Sequence, residues 1–226
     1  MKMRKQLFEK GLALTILLGI ALSAQAGWVE TKKDGTQTLI AGGKIKHMPE
    51  VPGEPWSVID ISKQTFSMFN PDRNTCSVTA IEEFCEFFKA FSSDDQEGER
   101  PPAIEVKKMG PDAKIAGLET VRYQVLVDGR AYEDIWLAKD KTIINEIGDR
   151  SALQKIIQCM GESGVEKHPE YVGTITSGWL LKVYSHENEE VTEEVKNLEK
   201  KDIPNAEFDL PSGCRRVGLL ESMGGE

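Results

Sequence analysis

Between residues 120 and 127 the chain alternates, with one departure at Leu126. Val121, Tyr123, Val125 and Val127 fall on one side, while Thr120, Arg122 and Gln124 fall on the other. Successive side chains of a β-strand point to opposite faces, so this period of two predicts a strand with one face buried and the other wetted. Asp128-Gly129 follows, a dipeptide that tolerates the positive φ of a two-residue hairpin turn, and residues 130–138 read as the returning strand. One such hairpin cannot bury its apolar face alone. The rest of the chain has to supply a sheet and something to cover it.

The same pattern recurs upstream. Residues 28–32 and 36–45 flank Asp34-Gly35, and residues 65–70 and 75–79 flank Pro71-Asp72-Arg73-Asn74, where proline presets φ for the turn. Further strands are predicted at 56–61, 104–109 and 113–127. Another is predicted at 171–184, with Ile175, Trp179, Leu181 and Val183 on one side, and a partner at 191–198. Three prolines between His47 and Trp56 mark a loop, and the tail through Cys214 reads as irregular with a short edge strand. Two stretches change period. Ile81, Phe84, Cys85 and Phe88 stand at i, i+3, i+4 and i+7, predicting a helix over 80–91, and Leu153, Ile156, Ile157 and Met160 predict another over 145–160. Hairpins interrupted by two helices give an α+β protein, a curved, largely antiparallel sheet with helices on one face.

Residues 1–26 read as a secretory signal peptide. Lys2, Arg4, Lys5 and Lys10 precede an apolar run over 11–22, and Ala24-Gln25-Ala26 offers small residues for cleavage before Gly27. The run is too short for a bilayer span of ~20 residues, so no stable membrane insertion is expected. Residues 27–226 then form a single domain, exported to the periplasm or beyond, in which 24 basic groups face 36 acidic ones. That excess of acid repels phosphate backbones and argues against nucleic acid as a partner. Cys76, Cys85, Cys159 and Cys214 make an even count in an oxidising compartment, which predicts two disulfides. All three connectivities remain open, with Cys76 to Cys85 and Cys159 to Cys214 favoured because a helix starting near Ala80 can fold back over the preceding strand.

Motifs for chemistry are sparse. Gly161-Glu162-Ser163-Gly164-Val165 lacks the glycine of a nucleophile elbow, and Gly42-Gly43-Lys44 lacks the frame of a phosphate loop. No cofactor or metal is implied, since His47, His168 and His186 lie at no ligand spacing. Glu133 and Asp134 point to opposite faces of one strand, which leaves Asp60 with Asp134 across the sheet as the remaining carboxylate pair for a hydrolase. Aromatic residues are more numerous. Phe66 and Met68 on a hairpin, Phe84, Phe87, Phe88 and Phe91 on the first helix, and Trp136 and Trp179 on later strands predict an apolar layer between sheet and helices. Such a layer either packs as core or leaves room for a flexible apolar ligand.

Val58-Ile59-Asp60-Ile61, Gln64 through Asp72, Ile115-Ala116-Gly117, Tyr123-Gln124-Val125, Asp134 through Ala138 and Phe208 through Gly213 together resemble an exported bacterial family of unknown function. That family is similar to the outer-membrane lipoprotein carriers and receptors. The resemblance implies an unclosed antiparallel half-barrel with helices lidding its concave face, and no catalytic residues. It implies a non-enzymatic periplasmic protein that binds an acyl chain, a lipid or a lipidated protein, or an envelope protein. The alternatives are a structural envelope protein with a filled core and a secreted hydrolase using Asp60 and Asp134.

Overall fold

In the computed structural model, residues 24–91, 102–161 and 164–223 are described. The predicted signal peptide lies outside them except for its last three residues. Six strands follow in order: β1 (Ala24–Lys32), β2 (Gln37–Ala41), β3 (Lys44–Met48), β4 (Trp56–Asp60), β5 (Thr65–Asn70) and β6 (Thr75–Ala80). Each pairs antiparallel with the next. Helix α1 (Ile81–Phe91) then leaves that edge. The chain resumes at the opposite edge with β7 (Ile104–Ile115), β8 (Leu118–Val127) and β9 (Arg130–Ala138).

Four helices come next: α2 (Thr142–Ile147), α3 (Ser151–Met160), α4 (Gly164–Lys167) and α5 (Pro169–Ile175). Strands β10 (Leu180–Ser185) and β11 (Glu190–Pro204) complete the sheet, because β11 pairs with both β10 and β1. After a 3₁₀ turn at Asn205–Phe208, β12 (Arg215–Arg216) pairs parallel with β6, and α6 (Leu219–Ser222) ends the described chain. The strand order is β12-β6-β5-β4-β3-β2-β1-β11-β10-β9-β8-β7, an open, curved twelve-stranded sheet.

Helices and sheet meet in one core. Phe66 of β5 stacks on Phe84 of α1 at 4.2 Å between ring centroids, and Phe84 stacks on Phe88 at 4.7 Å. Ile143, Ile144 and Ile147 of α2 and Ile156 of α3 are buried in the same cluster, against Ile40 and Ile45. Farther along, Val165, Tyr171 and Val172 of α4 and α5 cover Val125 of β8. The opposite face carries a smaller cluster, where Ile203 and Phe208 cover Leu39, Ala41 and Val58.

Four sequence expectations change. The segment 36–45 contains a turn at Gly42-Gly43 that divides it into β2 and β3, and 104–127 is a hairpin turning at Ala116-Gly117, where both residues take positive φ (47° and 80°). The expected helix over 145–160 is two helices, because Gly148 at φ 77° breaks it. Residues 169–175 are helical, not extended. Pro169 sits in the first turn, where its missing N–H costs nothing, and burial of Tyr171 and Val172 outweighs the β preference of the valine, threonine and isoleucine.

The favoured cysteine pairing is also corrected. The disulfides join Cys76 to Cys214 and Cys85 to Cys159, with Cα separations of 5.8 and 5.1 Å. Cys76 sits opposite Phe69, whose ring meets Trp56, on the face of the sheet away from the helices. Helix α1 packs on the other face through Phe84, so the sheet itself stands between Cys76 and Cys85. No helix among the described residues is long and apolar enough to cross a membrane. The two disulfides fit an oxidising, extracytoplasmic environment.

Candidate functional site

Cross-strand register lays two rows over the concave face. The first runs Trp28, Ile40, Ile45, Ile59, Phe66 and is apolar throughout. One pleat along, the second runs Leu198, Glu30, Thr38, His47, Ser57, Met68 and is polar in its middle. Helices α1 and α2 seal the apolar row at its Phe66 end. Where the polar row begins, the helices stand off and leave a cavity of about 450 Å³. Its floor is Ile45, Ile59, Glu30, Thr38 and His47. Its roof is Ile144, Leu153, Ile157, Met160 and Ile175, and Trp179 forms a side wall. The volume lies within the ~300–1,000 Å³ typical of small-ligand sites, and most of the lining surface is apolar.

Each polar group in this cavity has an environment set by the rows. Glu30 is 2% exposed. It accepts a hydrogen bond from the indole N–H of Trp179 and a further one from the Thr38 hydroxyl. Burial nevertheless holds its carboxyl above the ordinary range, because these bonds only partly offset desolvation. Lys32, two residues on and therefore on the same face, makes a 2.7 Å ion pair with Glu193 at the rim. Burial works against the Lys32 ammonium, but Glu193 outweighs it and raises its pKa. Burial, and then the nearby Lys32, push His47 below the ordinary histidine value, which keeps the imidazole neutral at pH 7. The Thr176 hydroxyl is engaged on both sides, donating to Val172 O at 2.7 Å and accepting from Gln154 Nε2 at 2.9 Å.

Of the aromatic residues singled out in the sequence, Trp179 lines this cavity. Phe66 and Phe84 are buried in the core, and Met68, Phe88 and Phe87 pack beside them in a continuous aromatic stack, Phe87 to Phe88 at 5.6 Å. The side chain of Phe91 lies outside the described residues. Trp136 points to the opposite face, between Lys182 Nζ at 4.9 Å and Arg122 Cζ at 5.6 Å, and donates its N–H to Asp112. What sequence reasoning missed was Glu30, Thr38 and His47 with the aliphatic roof above them. A signal existed: Glu30 and Lys32 share the parity of Trp28, so a charge follows an indole onto the buried face.

The carboxylate pair proposed from sequence does not assemble. Asp60 on β4 and Asp134 on β9 stand six strands apart in the sheet order. Burial pulls the Asp60 carboxyl upward, but bonds from the Ser62 hydroxyl at 2.7 Å and the Lys63 N–H at 3.1 Å hold it below its usual value. Asp134 is held by Arg122 at 2.8 Å and Gln124 at 3.4 Å, with His186 Nε2 lying 3.2 Å away. Glu133 points the other way, as alternation required, and meets the buried Tyr171. Burial, opposed by the Tyr171 hydrogen bond, pushes its carboxyl up to about 7.

These features define an α+β protein whose open, curved sheet is roofed by helices, with a mainly apolar cavity beneath the roof. Residues 41–214 match the family described as Domain of unknown function (DUF4412), and the chain belongs to that family. The match begins at the last residue of β2 and ends at the cysteine that is tied to β6. A comparison with curated proteins finds no match.

Proposed function

We propose that this is an exported, non-enzymatic binding protein that holds an acyl chain, free or attached to a lipid or lipoprotein, in the cavity between sheet and helices. The observation that carries the reading is the cavity itself. About 450 Å³ of space persists between Ile45 and Ile59 below and Leu153, Ile157 and Ile175 above, beside an aromatic layer that is otherwise filled. The site is half open and its lining surface mainly apolar, and an apolar group that enters it removes that surface from water. The open sheet with helices over its concave face is also the arrangement implied by the resemblance to the lipoprotein carriers. Residues 1–26 then serve as the leader that takes the chain across the inner membrane.

Titration of the folded protein with a fluorescent fatty-acyl probe tests this. Micromolar binding, about −8 kcal/mol, is expected. Leu153→Trp, which fills the cavity from the roof, should weaken binding at least about ten-fold, ~1.4 kcal/mol, while the unfolding midpoint stays within a few degrees. A wild-type protein that is folded and binds no acyl probe refutes the reading, as does a Leu153→Trp variant with undiminished affinity.

A further inference from the structure

The polar wall of the cavity is one-sided, and that bears on the ligand's head. Glu30 offers a carboxylate with about four acceptor positions, of which Trp179 and Thr38 occupy two. The donors nearby are already committed. Lys32 is paired with Glu193 at 2.7 Å, and the Thr176 hydroxyl donates to Val172 O. His47 is held neutral and brings no charge. Lys32 faces both Glu30 and Glu193, so the three groups together leave one net negative charge on this wall, set beside Thr38 and His47 and between the isoleucines of the floor. An anionic head placed there would meet a like charge and find no free cation. A cationic head with N–H donors would fill the vacant acceptor positions and balance the net negative charge that Lys32, shared with Glu193, leaves at Glu30.

We infer that the cavity selects a single-chain amphiphile with an ammonium head, its tail on the isoleucine row and its head at Glu30. This rests on the acyl-binding reading above and adds the class of head group to it.

The test compares three ligands of equal chain length, dodecylamine, dodecanol and dodecanoate, by calorimetry at pH 7 in about 0.3 M salt, which screens the exposed acidic surface. At that pH the amine is protonated and the acid ionised. Dodecylamine is expected to bind at least about ten-fold more tightly than dodecanoate, with dodecanol between them. Glu30→Gln keeps an acceptor for Trp179 and removes the charge, and should bring the amine-to-acid ratio to within about three-fold. Lys32→Met leaves Glu30 in place and removes the neighbouring cation, so it should widen the ratio. It serves as the check if Glu30→Gln does not fold. Equal or tighter binding of dodecanoate overturns the inference, and so does a preference for the amine that survives Glu30→Gln or is unmoved by Lys32→Met. Binding of all three without discrimination overturns the head-group assignment alone, whereas failure of all three to bind removes the acyl-binding reading with it.

Discussion

Removing the Cys85–Cys159 disulfide should cost this protein a large part of its stability, and should do so first at helix α1. The two cysteines are 74 residues apart in sequence, so the bond closes a loop of that order in the unfolded chain. Loop-closure entropy for such a loop amounts to about 4.5 kcal/mol at 25 °C. Replacing both residues with alanine adds the loss of a buried sulfur at Cys159, so a total near 5 kcal/mol is expected. Besides their shared apolar packing, the helices keep an exposed pair, Lys155 to Glu82 at 3.7 Å, worth at most ~1 kcal/mol and unable to take over. Domains of this size lose roughly 2–4 °C per kcal/mol, so the melting midpoint should fall by ~10–20 °C. Scanning calorimetry on C85A/C159A measures this. Hydrogen exchange should show the amides of α1 losing protection before those of β5 and β6, since α1 keeps only Ile81, Phe84 and Phe88 against the sheet. A loss below ~1 kcal/mol with α1 still protected would refute the view that the disulfide, more than the aromatic stack, holds the roof in place.

Glu133 gives a pH signature. Its folded pKa of about 7 stands above the ordinary glutamate value of 4.5, so the folded state keeps a proton that the unfolded state releases between those values. Stability should therefore fall as pH rises from 4.5 to 7, by roughly 3 kcal/mol as an order of magnitude, and Glu133→Gln should flatten that slope in urea titrations at pH 5 to 8. Phe84→Ala, at 1% exposure between Phe66 and Phe88, should cost about 3–5 kcal/mol by chemical denaturation, and a cost under ~1 kcal/mol would mean the aromatic layer is not close-packed. Intact mass of the protein recovered from the periplasm should correspond to a chain beginning at Gly27, and recovery of a chain beginning at Met1 in the cytoplasm would remove the export reading.

Legibility followed local chemistry. Asp128-Gly129 turns where its dipeptide says it should, with φ of 50° and 78°, and the alternating strand before it pairs along most of its length with β9. The stripe on α1 faces the core as its spacing required, with Ile81 and Phe84 buried and Cys85 and Phe88 half-buried. Ala116-Gly117 makes the same turn with no polar first residue to announce it, so the break between the two strands was placed at 110–112, several residues too early. The Tyr171 region was misread for a different reason: its residues favour a strand in isolation, and only packing on Val125, more than forty positions earlier, decides for a helix. The disulfides were misassigned because pairing depends on which face of the sheet each cysteine occupies, and nothing local to Cys76 says that α1 crosses to the other side.

The cavity was invisible for a related reason, and its location carries a constraint on how it works. Aromatic density along the sequence pointed to Phe66, Phe84 and Phe88, and those rings are large enough to fill the space between helix and sheet, which closes that end. Space is left where the roof residues are branched aliphatics and the floor turns polar at Glu30, Thr38 and His47. Residues that are numerous and bulky mark the filled part of such a layer; a ligand's place is marked by the point at which they stop. For this protein the filled aromatic end holds α1 and the Cys85–Cys159 bond ties α3 to it, so any widening of the cavity to admit a ligand has to come from α5, the helix that carries Ile175. Binding of an acyl probe should accordingly alter hydrogen exchange most in α5 and least in α1, and a response confined to α1 would overturn this assignment of the moving parts.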